Sequence, residues 1–242
     1  MTSHHREIVV GVDGSPSSGR AAVWAADEAA QRRLPLRVVH ALETTVLTYG
    51  AWVAPPQSFF DELRAEGERI VVEARATALR RHPGLDVSVA VYPAGPVPAL
   101  LDESLSAELV VIGAHGRGDR RSLLLGSCVV TVAEHARCPV AVIRGHDEGP
   151  PPTRGPVVVG VDGSPIGDAA VAAAFDEASW RGTGLTAVHA WTDPFASLRR
   201  GDAEAAAVEA GERTLLAERL AGWGRSTRTS PSGRSSTATT RS

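Results

Sequence analysis

Ile8-Val-Val-Gly-Val-Asp-Gly-Ser-Pro16 returns as Val157-Val-Val-Gly-Val-Asp-Gly-Ser-Pro165, offset by 149 residues. Each copy is a β-branched run, an Asp-Gly turn and a Ser-Pro pair, with the Ser placed to cap a helix and the Pro at its first position. The register persists downstream. Asp27-Glu-Ala29 matches Asp176-Glu-Ala178, and Val39-His-Ala41 matches Val188-His-Ala190. A repeat of ordinary domain length reads as two copies of one domain. Gly145–Pro156, rich in Gly, Pro and charge, reads as the linker between them.

Working outward from the first strand, Glu7–Val12, the elements alternate. An Ala-rich helix runs to about Arg32, followed by strand Leu36–Ala41 and a periodic helix over Gln57–Arg81. Strand Asp86–Val91, helix Val97–Ser104, strand Leu109–Gly113, helix Ser127–Ala136 and strand Val140–Ile143 complete the copy. The expected fold is α/β: an open five-stranded parallel sheet of order 3-2-1-4-5 with helices on both faces. The second copy repeats only the first half: strand Val157–Val161, helix Ile166–Trp180, strand Leu185–Ala190 and helix Asp202–Trp223. Beyond it, Arg225–Ser242 is an Arg/Ser/Thr-rich tail with no aliphatic residue larger than Ala, unable to cover a core. The expected organisation is therefore 1–144 complete domain, 145–156 linker, 157–224 partial copy and 225–242 disordered tail. A reading-frame shift or a genuine tail both account for the abrupt change.

Composition narrows the function. All 25 basic residues are Arg, and a chain without Lys cannot carry a Walker A loop. The net charge is −3, and residues 1–145 hold 15 Arg against 16 acids, which gives no footprint for nucleic acid. Cys128 and Cys138 have neither disulfide nor zinc spacing and read as small apolar residues. No apolar run reaches membrane-spanning length, and Met1–Glu7 is polar without a signal region, so a cytoplasmic protein is expected.

The stretch that points to chemistry is Gly113-Ala-His-Gly-Arg-Gly-Asp-Arg-Arg-Ser-Leu-Leu-Leu-Gly-Ser127, between a strand and a helix. Small residues let a backbone approach an anion, and Ser127 opens a helix whose N–H groups and dipole favour phosphate. A glycine loop with a capping Ser has the same composition. Gly11 and Asp13 end the first strand and Gly113 the fourth, and strands one and four flank the topological switch point, where open α/β sheets bind ligands. Asp13 is there either a ligand for a ribose or base, or a turn-capping acid. His115 lies in the loop, within reach of phosphate or of solvent. His40 and His189, at equivalent strand ends, read as hydrogen-bonded structural residues. Arg117, Arg120 and Arg121 are either phosphate partners or surface charge. No triad and no metal-ligand spacing is present.

At these residues the chain resembles the universal stress protein family. Gly113, Gly116, Gly126 and Ser127 fill the G-x2-G-x9-G-[ST] pattern of its ATP-binding branch. The resemblance covers 7–144 and again 157–223. It implies that Gly11, Val12 and Asp13 contact adenosine, and that Ala41 and Ile112 line the adenine pocket. Gly113, Gly116, Gly126 and Ser127 would then hold ribose and phosphates beside the Cys128 backbone. One departure is Val129, where the family often has a hydroxyl. The implied function is an ATP-binding regulatory or stress-response module, with Mg²⁺, one ATP per chain, no catalytic residues and only weak hydrolysis. A homodimer through Val140–Ile143 is also implied, since a strand edge invites another chain. The competing readings are a ligand-free structural or dimerisation module and an adenylating enzyme.

Overall fold

In the computed structural model, which describes residues 6–42, 56–116, 125–145, 155–191, 202–221 and 235–240, the repeat divides the chain as the sequence does. The two units are Met1–Pro151 and Pro152–Ser242. The first carries β1 (Ile8–Gly11), α1 (Pro16–Arg32), β2 (Leu36–Ala41), α2 (Gln57–Arg81), β3 (Val87–Tyr92), α3 (Pro96–Glu103), β4 (Leu109–Gly113), α4 (Ser127–His135) and β5 (Val140–Ile143). Its strands are all parallel, in the order β3-β2-β1-β4-β5.

Alternation along the strands sorts side chains to two faces. Ile8, Val10 and Val12 join Leu36, Val38 and Val111 under an alanine stripe of α1 (Ala21, Ala22, Ala25, Ala26, Ala29) and under Ile70 and Val71 of α2. Val9, Val39, Val110 and Ile112 face the other way, against Leu100 of α3 and Val129 and Val132 of α4. The sheet is therefore covered on both sides, and only the β3 and β5 edges are open.

The repeated start is built identically in both copies. Gly14 and Gly163 adopt φ of 79° and 77°, a left-handed turn that favours glycine. Ser15 and Ser164 cap the next helix, accepting from Ser18 N at 3.1 Å and Gly167 N at 3.0 Å. A proline follows each cap.

The second unit holds β6 (Val157–Gly160), α5 (Pro165–Arg181), β7 (Leu185–Trp191), α6 (Asp202–Ala221) and β8 (Ser235–Thr240). β8 corrects the expectation of a tail without structure and of a second copy without a third strand. It pairs parallel to β7 from Thr186↔Ser235 to Trp191↔Thr240. Strand pairing uses backbone groups, so a Ser/Thr run can form it without aliphatic side chains, and Thr is β-branched. Among the described residues no counterpart of β4 or β5 pairs with β6. Among the described residues the β4–β5 side of the sheet is thus built once.

Candidate functional site

The site predicted from the sequence falls at the carboxyl ends of β1 and β4. Gly11 pairs with Val39, and Val10 with both Val38 and Val111, so β1 lies between β2 and β4. The chain leaves β1 toward α1 on one face and leaves β4 toward α4 on the other. That reversal makes the crevice at which such sheets bind ligands.

Gly11 turns its bare face to the side of α3. A Cβ there would meet the Leu100 side chain at 3.2 Å and Ile112 at 3.4 Å. Ala41 ends β2 on the same face as Val39, and Ile112 is buried beneath it. The implied adenine-lining residues therefore share one face and one end of the sheet. Val12 is buried, and its N–H donates to Val39 O at 2.9 Å, extending the ladder one residue past β1.

Asp13 follows, half-buried. Its Oδ1 accepts from Ser15 N at 2.9 Å and its own N–H donates to Ser18 Oγ at 3.2 Å. The turn-capping role is therefore real. Its other oxygen faces the loop, because a Cβ on Gly116 would lie 3.1 Å from Asp13 Oδ2. The two sequence-distant residues thus meet at the crevice. Asp162, the counterpart in the second unit, makes the same turn, accepting from Ser164 N at 2.9 Å and Ser164 Oγ at 2.7 Å. Those hydrogen bonds hold its carboxyl below the usual carboxylate range.

Gly113 is glycine for a reason of packing. A Cβ there would fall 2.8 Å from the backbone carbon and 2.9 Å from the carbonyl oxygen of Ser17 in α1. His115 N reaches the Ser17 hydroxyl at 3.5 Å, so the first turn of α1 braces the loop. Gly126, the residue that caps α4, has more room, with Ala114 O at 3.7 Å from its added Cβ, and Gly126 N donates to Ala114 O at 3.2 Å. No side chain caps α4, which leaves its opening turn available to an anion. Ser127 is exposed and Cys128 half-buried at that turn. Val129 is 5% exposed and packs in the core with Val132, its Cγ2 4.0 Å from an added Cβ at Gly126. The hydroxyl of Thr131 donates to Ser127 O at 3.0 Å. Arg117, Arg120 and Arg121 lie outside the described residues.

His40 and His189 are hydrogen-bonded structural residues, as their strand-end positions indicate. Their Nδ1 atoms lie 2.7 Å from Val12 O and 2.5 Å from Val161 O. Among the described residues no cluster of three or more His, Cys, Asp or Glu could hold a metal. No described helix is long and apolar enough to cross a membrane. A groove lined by Arg33, Pro35, His82 and Asp86 opens at the amino ends of β2 and β3, the opposite end of the sheet, and shares no residue with the crevice.

Sequence reasoning missed a polar network on the α3 face. Arg37 Nε donates to Glu103 Oε1 at 2.8 Å, and Tyr92 donates to the same carboxylate. Burial disfavours the Arg37 cation, but its hydrogen bonds to Tyr92 and Glu103 outweigh that and raise its pKa. Burial first, then the bond to Glu103, pushes the Tyr92 phenol up. Arg37 in a strand was the available signal, since a charge inside a buried parallel strand needs a partner.

The fold agrees with three comparisons. The model of the Universal stress protein family matches residues 4–144 and 153–241. Universal stress protein Rv2005c of Mycobacterium tuberculosis is 42% identical over 221 residues, covering 89% of this chain and 74% of that protein. Universal stress protein Rv2623 of the same organism is 40% identical over 223 residues, covering 89% and 73%. A crystal structure of a universal stress protein from Archaeoglobus fulgidus aligns with all of this chain and 80% of its own at a TM-score of 0.65 and 18% identity, a likeness of fold. With both copies matched and the parallel sheet in the expected order, this chain belongs to the universal stress protein family.

Proposed function

We propose that the first unit binds ATP, with Mg²⁺ carried on the phosphate oxygens, and acts as a nucleotide-dependent regulatory module. The observation that supports this reading is the meeting of Asp13 and Gly116 at the switch point, beside the uncapped start of α4. Gly11, Val12, Asp13, Ala41 and Ile112 would surround the adenosine. Gly113, Gly116, Gly126, Ser127 and the Cys128 backbone would hold ribose and phosphates. The residues fit such a group: the glycine at 116 sets no side chain against Asp13 Oδ2, and α4 starts without a side-chain cap. The proposed role is binding and release rather than turnover.

Calorimetric titration of ATP into the full chain tests it. One site per chain is expected, because the second unit has Asp162 but no counterpart of Gly113–Ser127. Gly113→Ala is a poor probe, since its Cβ would strike the Ser17 backbone and perturb the fold itself. Gly126→Ala and Ser127→Ala are cleaner, and each should weaken ATP without lowering the melting temperature. Two sites, or undiminished affinity in both variants, would overturn the reading.

We also infer a homodimer through β5. Val140–Ile143 is an edge strand with no charge on it, and its Val140, Ala141 and Val142 are only half-buried. Val142→Pro removes an N–H that faces away from β4, since the odd-numbered residues of β5 pair with β4, and should shift the species seen by sedimentation toward monomer. An unchanged dimer would place the interface elsewhere.

A further inference from the structure

The buried interior of a helix is a costly place for glycine, by about 1 kcal/mol relative to Ala. α2 nevertheless carries Gly67 there, buried in a 25-residue helix. An added Cβ would lie 2.7 Å from the His40 ring carbon Cδ2, 3.1 Å from Val91 and 3.2 Å from Leu42. The space at Gly67 is occupied by the imidazole of His40. The opposite edge of that ring is fixed as well, with Nδ1 2.7 Å from Val12 O. A carbonyl only accepts, so Nδ1 carries the proton and donates. The Val12 peptide is thus held from β2 at both ends: its N–H by Val39 O at 2.9 Å and its C=O by His40. Asp13 is the next residue.

We propose that His40 is a positioning residue for the nucleotide site, a proposal that rests on the ATP-binding reading. By fixing the Val12 carbonyl, it sets the direction in which the chain leaves β1 and so the aim of the Asp13 carboxylate at Gly116. Gly67 backs the ring from α2 and makes the clamp rigid. His189 makes the same bond to Val161 O at 2.5 Å, but the position 149 residues beyond Gly67 is Leu216, not a glycine. The second unit also lacks the loop, so His189 serves as an internal control. Burial of an unpaired Val12 carbonyl would let this peptide rotate toward another donor, and Asp13 with it.

The test is a thermodynamic cycle on the full chain, with ATP as the probe and thermal melting recorded alongside. His40→Leu should weaken ATP about tenfold, the size of one lost hydrogen bond. His40→Asn, which keeps a donor near the Nδ1 position, should recover most of that loss. In an Asp13→Ala background His40→Leu should have little further effect, because its action passes through Asp13. His189→Leu should leave ATP affinity unchanged. Should His40→Leu fail to fold, Gly67→Ala displaces the ring from the helix side and is expected to weaken ATP while the melt stays cooperative. Equal losses from His40→Leu with and without Asp13 overturn the positioning role, as does an unaltered affinity in Gly67→Ala. Wild-type protein that binds no ATP overturns the reading and this proposal together; additive losses in a protein that does bind overturn this proposal alone.

Discussion

Val9 and Val158 stand at the same place in a nearly identical nine-residue motif, yet Val9 is fully buried and Val158 is 63% exposed. The next residues, Val10 and Val159, are buried in both copies, at 0% and 6%. The helix-covered face is therefore reproduced by α1 and α2 in one unit and by α5 and α6 in the other, with Val171 and Leu216 in the second core. The opposite face is reproduced in neither cover nor edge. Gly11 is closed in by Leu100 and Ile112, whereas Gly160 has nothing within 4 Å. Identical local sequence makes identical strand, turn and cap; burial is supplied by segments far away along the chain.

The largest effect expected from this contrast comes from a charge on that face. Val9→Asp should cost about 4 kcal/mol or more, by burying an unpaired carboxylate. Val158→Asp should stay within about 0.5 kcal/mol, since its position is open to water. Chemical denaturation of both variants checks this, and equal losses would mean that the second sheet face is covered in solution. Next comes ligand binding. Asp13→Ala should weaken ATP at least tenfold, or about 1.4 kcal/mol, and Asp162→Ala should not change it; a similar loss at both would break the one-site view.

Smaller and equal effects are expected at the caps. Ser15→Ala and Ser164→Ala should each cost about 1 kcal/mol, because each hydroxyl satisfies one helix N–H. A clear inequality would show that one unit folds without its cap. The smallest effect is electrostatic and specific to the first unit. Burial alone would raise the Asp27 carboxyl, but hydrogen bonds from Arg81 and His82 outweigh it and hold it below the usual 3.8. A depressed folded pKa means a stabilisation fully present above the unfolded value and lost as pH falls through the folded one. Asp27→Asn should therefore lower stability slightly near pH 7, by less than about 1 kcal/mol for so exposed a cluster. The difference from wild type should shrink below about pH 4. A difference that grows on acidification would reject this cause.

Much of this was legible from residues alone. The repeat, the strand–helix alternation and the Ser-Pro helix starts follow from local chemistry: β-branched runs, a Gly that tolerates positive φ, and a hydroxyl before a proline. The histidine bonds at both strand ends were also legible, since a ring at that position faces the neighbouring strand's exit. β8 was not, because its Ser/Thr side chains carry no hydrophobic pattern, and backbone pairing leaves no mark in composition. The Arg37–Glu103–Tyr92 network was only half visible, as a lone cation whose partners lie 55 and 66 residues away.

The candidate site divides in the same way. By itself the sequence determined which residues belong to the two ends of the crevice, through the Gly11–Asp13 exit and the Gly113–Ser127 loop, because those are spacings within short segments. The tertiary structure alone decided what each glycine is for. Gly113 makes way for the Ser17 backbone, Gly116 for the Asp13 carboxylate, and Gly67 for a histidine ring. It also turned Val129 into the core and left Val158 in water. Those outcomes depend on which distant element fills the space beside a residue, and only the assembled sheets set that, covered on both faces in the first unit and, among the described residues, on one face in the second.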